Sequence, residues 1–276
     1  MSLRRAFVAG WPVGHSRSPL IHRHWLARYG IEGDYVPEPV HPDEAAAFLA
    51  GFPERGYVGG NVTIPHKETA FRVAAWRTET AERLGAVNTL WIEDGRISGD
   101  NTDVHGFLAN LDERAPGWRT GGPALVLGAG GSARAVAYGL ARAGFDPVRV
   151  LNRTESRAAR LAEDLGGPIR AGPLDRLADL IGTADVIVNT TAAEMAGAAP
   201  LAIDWGRAKP SAVATDIVYV PLATAFLRGA AERGLRTVDG LGMLLHQAQP
   251  GFERWFGVRP EVDDALRALV LADLGA

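Results

Sequence analysis

The chain has 276 residues, 47% of them hydrophobic and 22% charged, with a formal net charge of -3 and no cysteine. That is enough apolar material for one large domain or two ordinary ones, while the slight acidic excess and the lack of any Lys/Arg run exclude a binder of nucleic-acid backbone. The missing thiols exclude disulfides, thiolate metal sites and cysteine nucleophiles.

The basic N-terminal Arg4-Arg5 leads into an apolar run that Gly10, Pro12 and Gly14 break, too short for a targeting segment. Nowhere do about 18 apolar residues run without a charge, the length a membrane span needs. A soluble, cytoplasmic protein with neither nucleic-acid nor membrane partners is expected.

In chain order, residues 5–9 read as a strand, 19–29 as an amphipathic helix, 57–62 as a strand and 66–76 as a helix opened by Pro65. Apolar stretches at 88–92 and 96–98 flank Asp94-Gly95, a hairpin signal. These make an α/β unit of roughly 100 residues, an ordinary domain size.

A helix at 105–112 is followed by two clusters of breakers, Ala115-Pro116-Gly117 and Thr120-Gly121-Gly122-Pro123, which mark a linker. Beyond it the pattern alternates: strand 124–127, helix 133–143, strand 148–151, helix 156–165, then strands at 186–189 and 212–217. Short apolar runs between helices indicate a parallel sheet covered on both faces. A short strand at 236–238 precedes helices at 242–255 and 262–274, which cross back to the first domain. The expectation is an α/β protein of two domains. One is an α/β domain over 1–103 plus about 242–276, and the other a Rossmann-like, doubly wound parallel-sheet domain over 104–241.

Strand 124–127 runs straight into Gly128-Ala129-Gly130-Gly131-Ser132-Ala133 and a helix. Glycines there permit a tight turn and let backbone N–H groups and the positive helix end approach a pyrophosphate. A glycine run alone also fits an ordinary turn. The end of the next strand decides more, because NAD enzymes usually present an acidic side chain there to hold the ribose hydroxyls. This chain presents Asn152-Arg153-Thr154, with Arg157 one turn on. Two guanidinium groups and a hydroxyl suit a 2′-phosphate and favour NADP over NAD. The plainer alternative has Asn152 or Thr154 capping the next helix and the arginines solvated.

The first domain carries polar residues where a core would not want them: Ser16 and Ser18 in HSRSP, Thr63 and Lys67 in NVTIPHK, Asn88 in GAVNT, Asp103 in DNTD. Taken singly, each fits a cap or turn. Together with GAGGSARA, NRTESR and DGLGMLLHQA, they resemble the shikimate dehydrogenase family over nearly the whole chain.

The resemblance implies that Ser16 and Ser18 bind a substrate carboxylate while Thr63, Asn88, Lys67 and Asp103 surround its ring hydroxyls. It implies that Tyr219 and Gln247 complete the substrate pocket, that Gly240 lines the nicotinamide end, and that Ile217, Met243 and Glu79 also serve the cofactor. The implied reaction interconverts 3-dehydroshikimate with NADPH and shikimate with NADP, a step of the shikimate pathway toward chorismate and the aromatic amino acids.

Oxidising a secondary alcohol sends a hydride to nicotinamide while a positioned base takes the hydroxyl proton. Lys67 and Asp103 are the reacting pair that the resemblance implies. Which of them accepts the proton is open: a lysine ordinarily titrates near 10.4, so a base role demands depression by burial, whereas a charged lysine would polarise the carbonyl.

Three positions depart from the family pattern. Val104 stands where glycine commonly follows the aspartate, with a possible shift of the helix start. Ala192 and Glu194 stand for a serine and a glycine, and Pro250 should end or kink the helix that holds Gln247. His15, His22 and His24 do not suggest a metal site, because positions two apart on a helix do not share a face. A small acid is the expected partner, with the chain a monomer or homodimer. Rival readings are a quinate/shikimate dehydrogenase of broader specificity, a non-catalytic sensor of NADP and a small acid, and a related oxidoreductase acting on another acid.

Overall fold

A computed structural model describes residues 3–191 and 199–275. The chain divides into two compact units, one of Met1–Thr102 with Gln247–Ala276, the other of Asp103–His246.

The first unit contains β1 (Arg4–Gly10), α1 (Ser18–Arg28), β2 (Gly33–Pro39), α2 (Ala45–Ala50), β3 (Tyr57–Val62), α3 (Lys67–Val73), β4 (Trp76–Arg77), α4 (Glu79–Leu84), β5 (Thr89–Glu93) and β6 (Arg96–Asp100). Its sheet runs β2-β1-β3-β5-β6-β4. Pairs β2/β1, β1/β3 and β6/β4 are parallel, and β3/β5 and β5/β6 antiparallel. The hairpin turns at Asp94-Gly95, both at positive φ, which the Asp-Gly pair accommodates. One face buries Phe7 edge-on among Phe48, Phe52 and Tyr57, at ring separations of 5.2, 5.5 and 5.2 Å.

The second unit contains α5 (Asp103–Arg114), β7 (Ala124–Leu127), α6 (Gly131–Arg142), β8 (Val148–Asn152), α7 (Glu155–Leu165), β9 (Ile169–Pro173), α8 (Leu177–Leu180), β10 (Val186–Asn189), β11 (Val213–Asp216), α9 (Ala225–Glu232) and β12 (Arg236–Val238). Helix α10 (Leu241–Phe256) contributes its first residues to this unit and the rest to the first, and α11 (Asp264–Leu274) ends the chain. The sheet order is β12-β11-β10-β7-β8-β9, parallel throughout. Read from β9, this is the doubly wound order whose winding reverses between the first and fourth strands. The reversal lies between β7 and β10.

Four local expectations change. The helix expected to run to residue 76 stops at Val73, because Ala75 donates to Ile97 (2.8 Å) and Thr78 to Gly99 (3.0 Å). Those bonds draw Trp76 and Arg77 into the sheet beside β6, where the Trp76 ring meets Trp91 at 6.1 Å. Pro250 does not end its helix, since α10 continues through it to Phe256. An interior proline costs about 3 kcal/mol, and the buried Phe252, Trp255 and Phe256 beyond it supply opposing contacts.

Val104 leaves the helix start at Asp103, and a Cβ on Gly139 of α6 would meet Val104 in ordinary contact at 3.4 Å. Edge strands β2 and β9 escape sequence patterning because GDYVPEP and IRAGP read as loops. Proline is tolerated there because an edge strand needs only one partner.

Candidate active site

In the first unit, a turn places Ser16 and Ser18 at the start of α1. Ser16 donates its backbone N–H to Val13 (3.0 Å), and its hydroxyl oxygen accepts from the N–H of Ser18 (3.3 Å). Ser18 is 6% exposed. Between the serines, Arg17 turns to the carbonyl of His15 (2.9 Å) and the carboxylate of Asp273 on α11 (2.5 Å).

Thr63 follows β3, half-buried, with its N–H on Ala9 (2.9 Å). Two cis peptide bonds, Trp11-Pro12 and Ile64-Pro65, lie beside these loops. Lys67 is the first residue of α3, half-buried, and its carbonyl accepts from Val87 (3.0 Å). The preceding His66 is buried and held to the carbonyl of Val40 at 2.8 Å, which fixes the helix start. A cation on the first turn stands at the unfavourable end of the helix dipole.

Asn88 is 3% exposed, and its Oδ1 accepts from the Thr102 N–H (2.8 Å) and the Thr89 hydroxyl (2.9 Å). Thr102 in turn donates its hydroxyl to the carbonyl of Gln247 at 2.8 Å. The unit thus links Asn88 and the backbone at Gln247 through buried polar groups, with Lys67 anchored one residue from Asn88. Tyr35, Asn61 and Thr102 have no assigned role in the sequence reading. Asn61 and Thr102 sit inside the NVT and DNT strings and could have been found there, whereas Tyr35, on a strand that reads as a loop, gave no signal.

In the second unit, Gly128 sits at φ +108, and a Cβ there would approach the Thr190 hydroxyl at 2.7 Å. Only glycine fits where β7 leaves the sheet beside β10. Ala129 follows half-buried, and Gly130 and Gly131 are exposed with open space where a Cβ would stand. Half-buried Ser132 and buried Ala133 complete the first turn of α6. Gly128 lines a cavity of about 240 Å³ together with Asn152, Arg153, Thr154, Arg157 and Thr191. Asn152 donates to the carbonyl of Thr154 (2.9 Å), closing the turn after β8. Arg153, Thr154 and Arg157 are exposed, and among the described residues no carboxylate pairs with either arginine. The glycine turn and the basic strand end therefore face one space, as an anionic ligand with an extended backbone requires.

Also in this unit, Asp103 is the first residue of α5 and half-buried. Ile217 and Tyr219 follow β11, where the buried carboxylate of Asp216 accepts from Asn189 (2.9 Å), Thr224 (2.8 Å) and the N–H of Val218 (2.9 Å). Gly240 donates to Val218 at 3.3 Å, and a Cβ there would overlap the carbonyl of Ile217. Met243 lies half-buried on the next turn. Glu79 stands apart from these cofactor assignments, exposed on the first turn of α4 in the first unit. Ala192 and Glu194 lie outside the described residues. No described helix is long and apolar enough to cross a membrane.

A parallel sheet wound in this order, with a glycine turn and a basic strand end on one cavity, defines a dinucleotide-binding α/β protein. The chain matches the family models described as shikimate dehydrogenase substrate binding domain over residues 8–90, shikimate / quinate 5-dehydrogenase over 117–203 and shikimate 5'-dehydrogenase C-terminal domain over 240–270. It is 54% identical over 271 residues to a shikimate dehydrogenase (NADP(+)) of Mesorhizobium japonicum, covering 98% of this chain and 97% of that protein.

Among solved structures, it superposes with TM-score 0.86 and 39% identity on shikimate 5-dehydrogenase of Thermus thermophilus in complex with NADP(H) and shikimate, covering 98% and 100% of the two chains. With TM-score 0.90 and 28% identity it also matches a quinate dehydrogenase of Corynebacterium glutamicum in complex with NAD, covering 98% and 99%. The chain belongs to the shikimate dehydrogenase family.

Proposed function

We infer that this protein is an NADP-dependent oxidoreductase acting on a CH–OH group, interconverting 3-dehydroshikimate and shikimate. The observation that carries the reading is 54% identity, over 98% of the chain, to a relative named for that activity. The cofactor cavity supports it independently: Arg153, Thr154 and Arg157 stand where an NAD enzyme would present a carboxylate.

When bound, NADPH supplies the hydride. The backbone N–H groups of Gly130 and Gly131 and the start of α6 receive the pyrophosphate, and the two arginines bind the 2′-phosphate. Ser16 and Ser18 donate hydroxyl hydrogens to the substrate carboxylate, while Thr63 and Asn88 bind ring hydroxyls. Lys67 holds the proton that the reacting oxygen gains on reduction and loses on oxidation, with Asp103 as the coupled partner that balances its charge. Tyr219 and Gln247 complete the substrate contacts, and Ile217, Gly240 and Met243 those of the nicotinamide. We assign Glu79 no contact beyond the family likeness. A cytoplasmic setting, a place in the shikimate pathway and a monomer or homodimer as working form belong to the same reading, as does the division of labour between a substrate domain (1–103 with 242–276) and a cofactor domain (104–241).

The test is absorbance of reduced nicotinamide with purified protein, shikimate or quinate, and NADP or NAD in all four combinations. Reduction predominantly with shikimate and NADP is expected. Equal turnover of quinate would replace the reading by the broader specificity, and ligand binding without turnover in any combination would replace it by a sensor.

A further inference from the structure

Tyr35 lies on edge strand β2 with no part of its side chain exposed. Its ring is stacked on His22 of α1 at 4.0 Å and 13°, within a cluster that also includes Trp255 at 5.9 Å. In such surroundings a phenylalanine would fill the same volume at no polar cost. A buried hydroxyl must recover its lost hydration through hydrogen bonds. This one donates to Oδ1 of Asn61 at 2.7 Å.

This bond sets a direction that propagates. With Oδ1 of Asn61 held by the phenol, its Nδ2 donates to the Thr89 hydroxyl (3.0 Å) and to the Asn88 carbonyl (3.2 Å). Thr89, its oxygen engaged by Asn61, donates to Oδ1 of Asn88 at 2.9 Å, where the Thr102 N–H also arrives. An amide whose oxygen is fixed on one side presents its NH2 on the other. Tyr35, Asn61, Asn88, Thr89 and Thr102 are each at most 5% exposed, so water does not compete for these bonds.

We propose that Tyr35 is a positioning residue for substrate: its hydroxyl orients Asn88 through Asn61 and Thr89. The proposal rests on the reading of Asn88 as a substrate contact. Tyr35 itself touches no substrate. Its hydroxyl starts a directed chain that ends at Oδ1 of Asn88, and without it the Asn61 oxygen loses the donor that fixes which way the amide faces.

The test is steady-state kinetics of Tyr35→Phe, alongside Asn88→Ala, with melting temperatures recorded for each. Tyr35→Phe is expected to raise KM for shikimate about tenfold while kcat and KM for NADP stay within about twofold. Thr89→Val, which cuts the same chain one link further without touching the aromatic cluster, should do the same. The double variant should be no worse than either alone, because both cut one path.

A merely structural Tyr35 would lower the melting temperature and leave KM for shikimate unchanged in both Tyr35→Phe and Thr89→Val, which overturns the proposal. If Tyr35→Phe does not fold, Thr89→Val alone decides by the same criterion. Should Asn88→Ala leave KM unchanged, the assignment of Asn88 to substrate falls and the proposal with it. If Asn88→Ala raises KM and the hydroxyl variants do not, the proposal falls alone.

Discussion

The indole N–H of Trp255 donates to the carbonyl of Leu90 at 2.8 Å, joining residues 165 positions apart in the chain. This bond fastens the end of α10 to β5, and the space for it exists because residue 59 on the neighbouring strand is glycine. A Cβ at Gly59 would overlap both the Trp255 indole and the Leu90 carbonyl. Gly59→Ala should therefore destabilise the protein by about 1–3 kcal/mol, the usual cost of overpacking. Chemical denaturation measures this, and an unchanged midpoint would show that the Trp255 side chain can leave without loss.

His22 sits in the same part of the first unit, wholly buried, with its pKa pushed down to about 3 by burial. Its ring neighbours are Trp25, Tyr35, Phe252 and Trp255; none of them titrates in acid, and burial pushes the Tyr35 hydroxyl up, out of the way. The unfolded chain takes up a proton on this imidazole near pH 6.5 and the folded one does not until about pH 3. The stability contribution is thus fully present above pH 6.5 and is lost as pH falls, at up to about 1.4 kcal/mol per unit. Denaturation curves between pH 7 and 5 should show the loss, and His22→Phe should flatten this part of the slope. An identical slope in the variant would mean that other groups carry it.

Lys67→Ala should reduce kcat by about 10²–10⁴-fold, the usual share of positioned proton transfer. Because the charge stands at the start of α3, its removal should leave the melting temperature unchanged or slightly higher, by an effect of about 0.3–1 kcal/mol. Undiminished turnover would remove Lys67 from the reacting pair, and a large drop in melting temperature would reassign it to structure.

Arg153→Ala and Arg157→Ala should each raise KM for NADP by about 10- to 100-fold, as expected for loss of hydrogen bonds to a charged phosphate worth about 1.5–3 kcal/mol. KM for NAD, which lacks that phosphate, should hardly move. Parallel losses for both cofactors would mean that the arginines shape the cavity rather than read the phosphate.

Much of this was legible in the sequence because the signals were local. Strand β7, the turn at Gly128 and helix α6 are contiguous, so their apolar run, glycines and helical period read in order. The hairpin announced itself through Asp94-Gly95, a pair whose turn geometry is intrinsic. Elements whose form depends on a distant partner were less legible. The edge strands β2 and β9 gain their backbone bonds from one neighbour, and β4 exists because β6 takes up the chain that leaves α3. The passage of α10 through Pro250 depends on the burial of Phe252 and Trp255, which no local propensity reports.

The same division holds for the site. The sequence by itself determined the candidates: the glycine turn and the arginines after β8 through residue type and spacing, and the serines of HSRSP, Lys67, Asn88 and Asp103 through likeness to the family. Only the tertiary structure decided that Gly128 and Arg153 line one cavity, and that Tyr35 reaches Asn88 through Asn61. The physical reason is that a residue's chemistry is local to it, whereas the direction of a buried hydrogen bond is set by whatever packing brings to its other end.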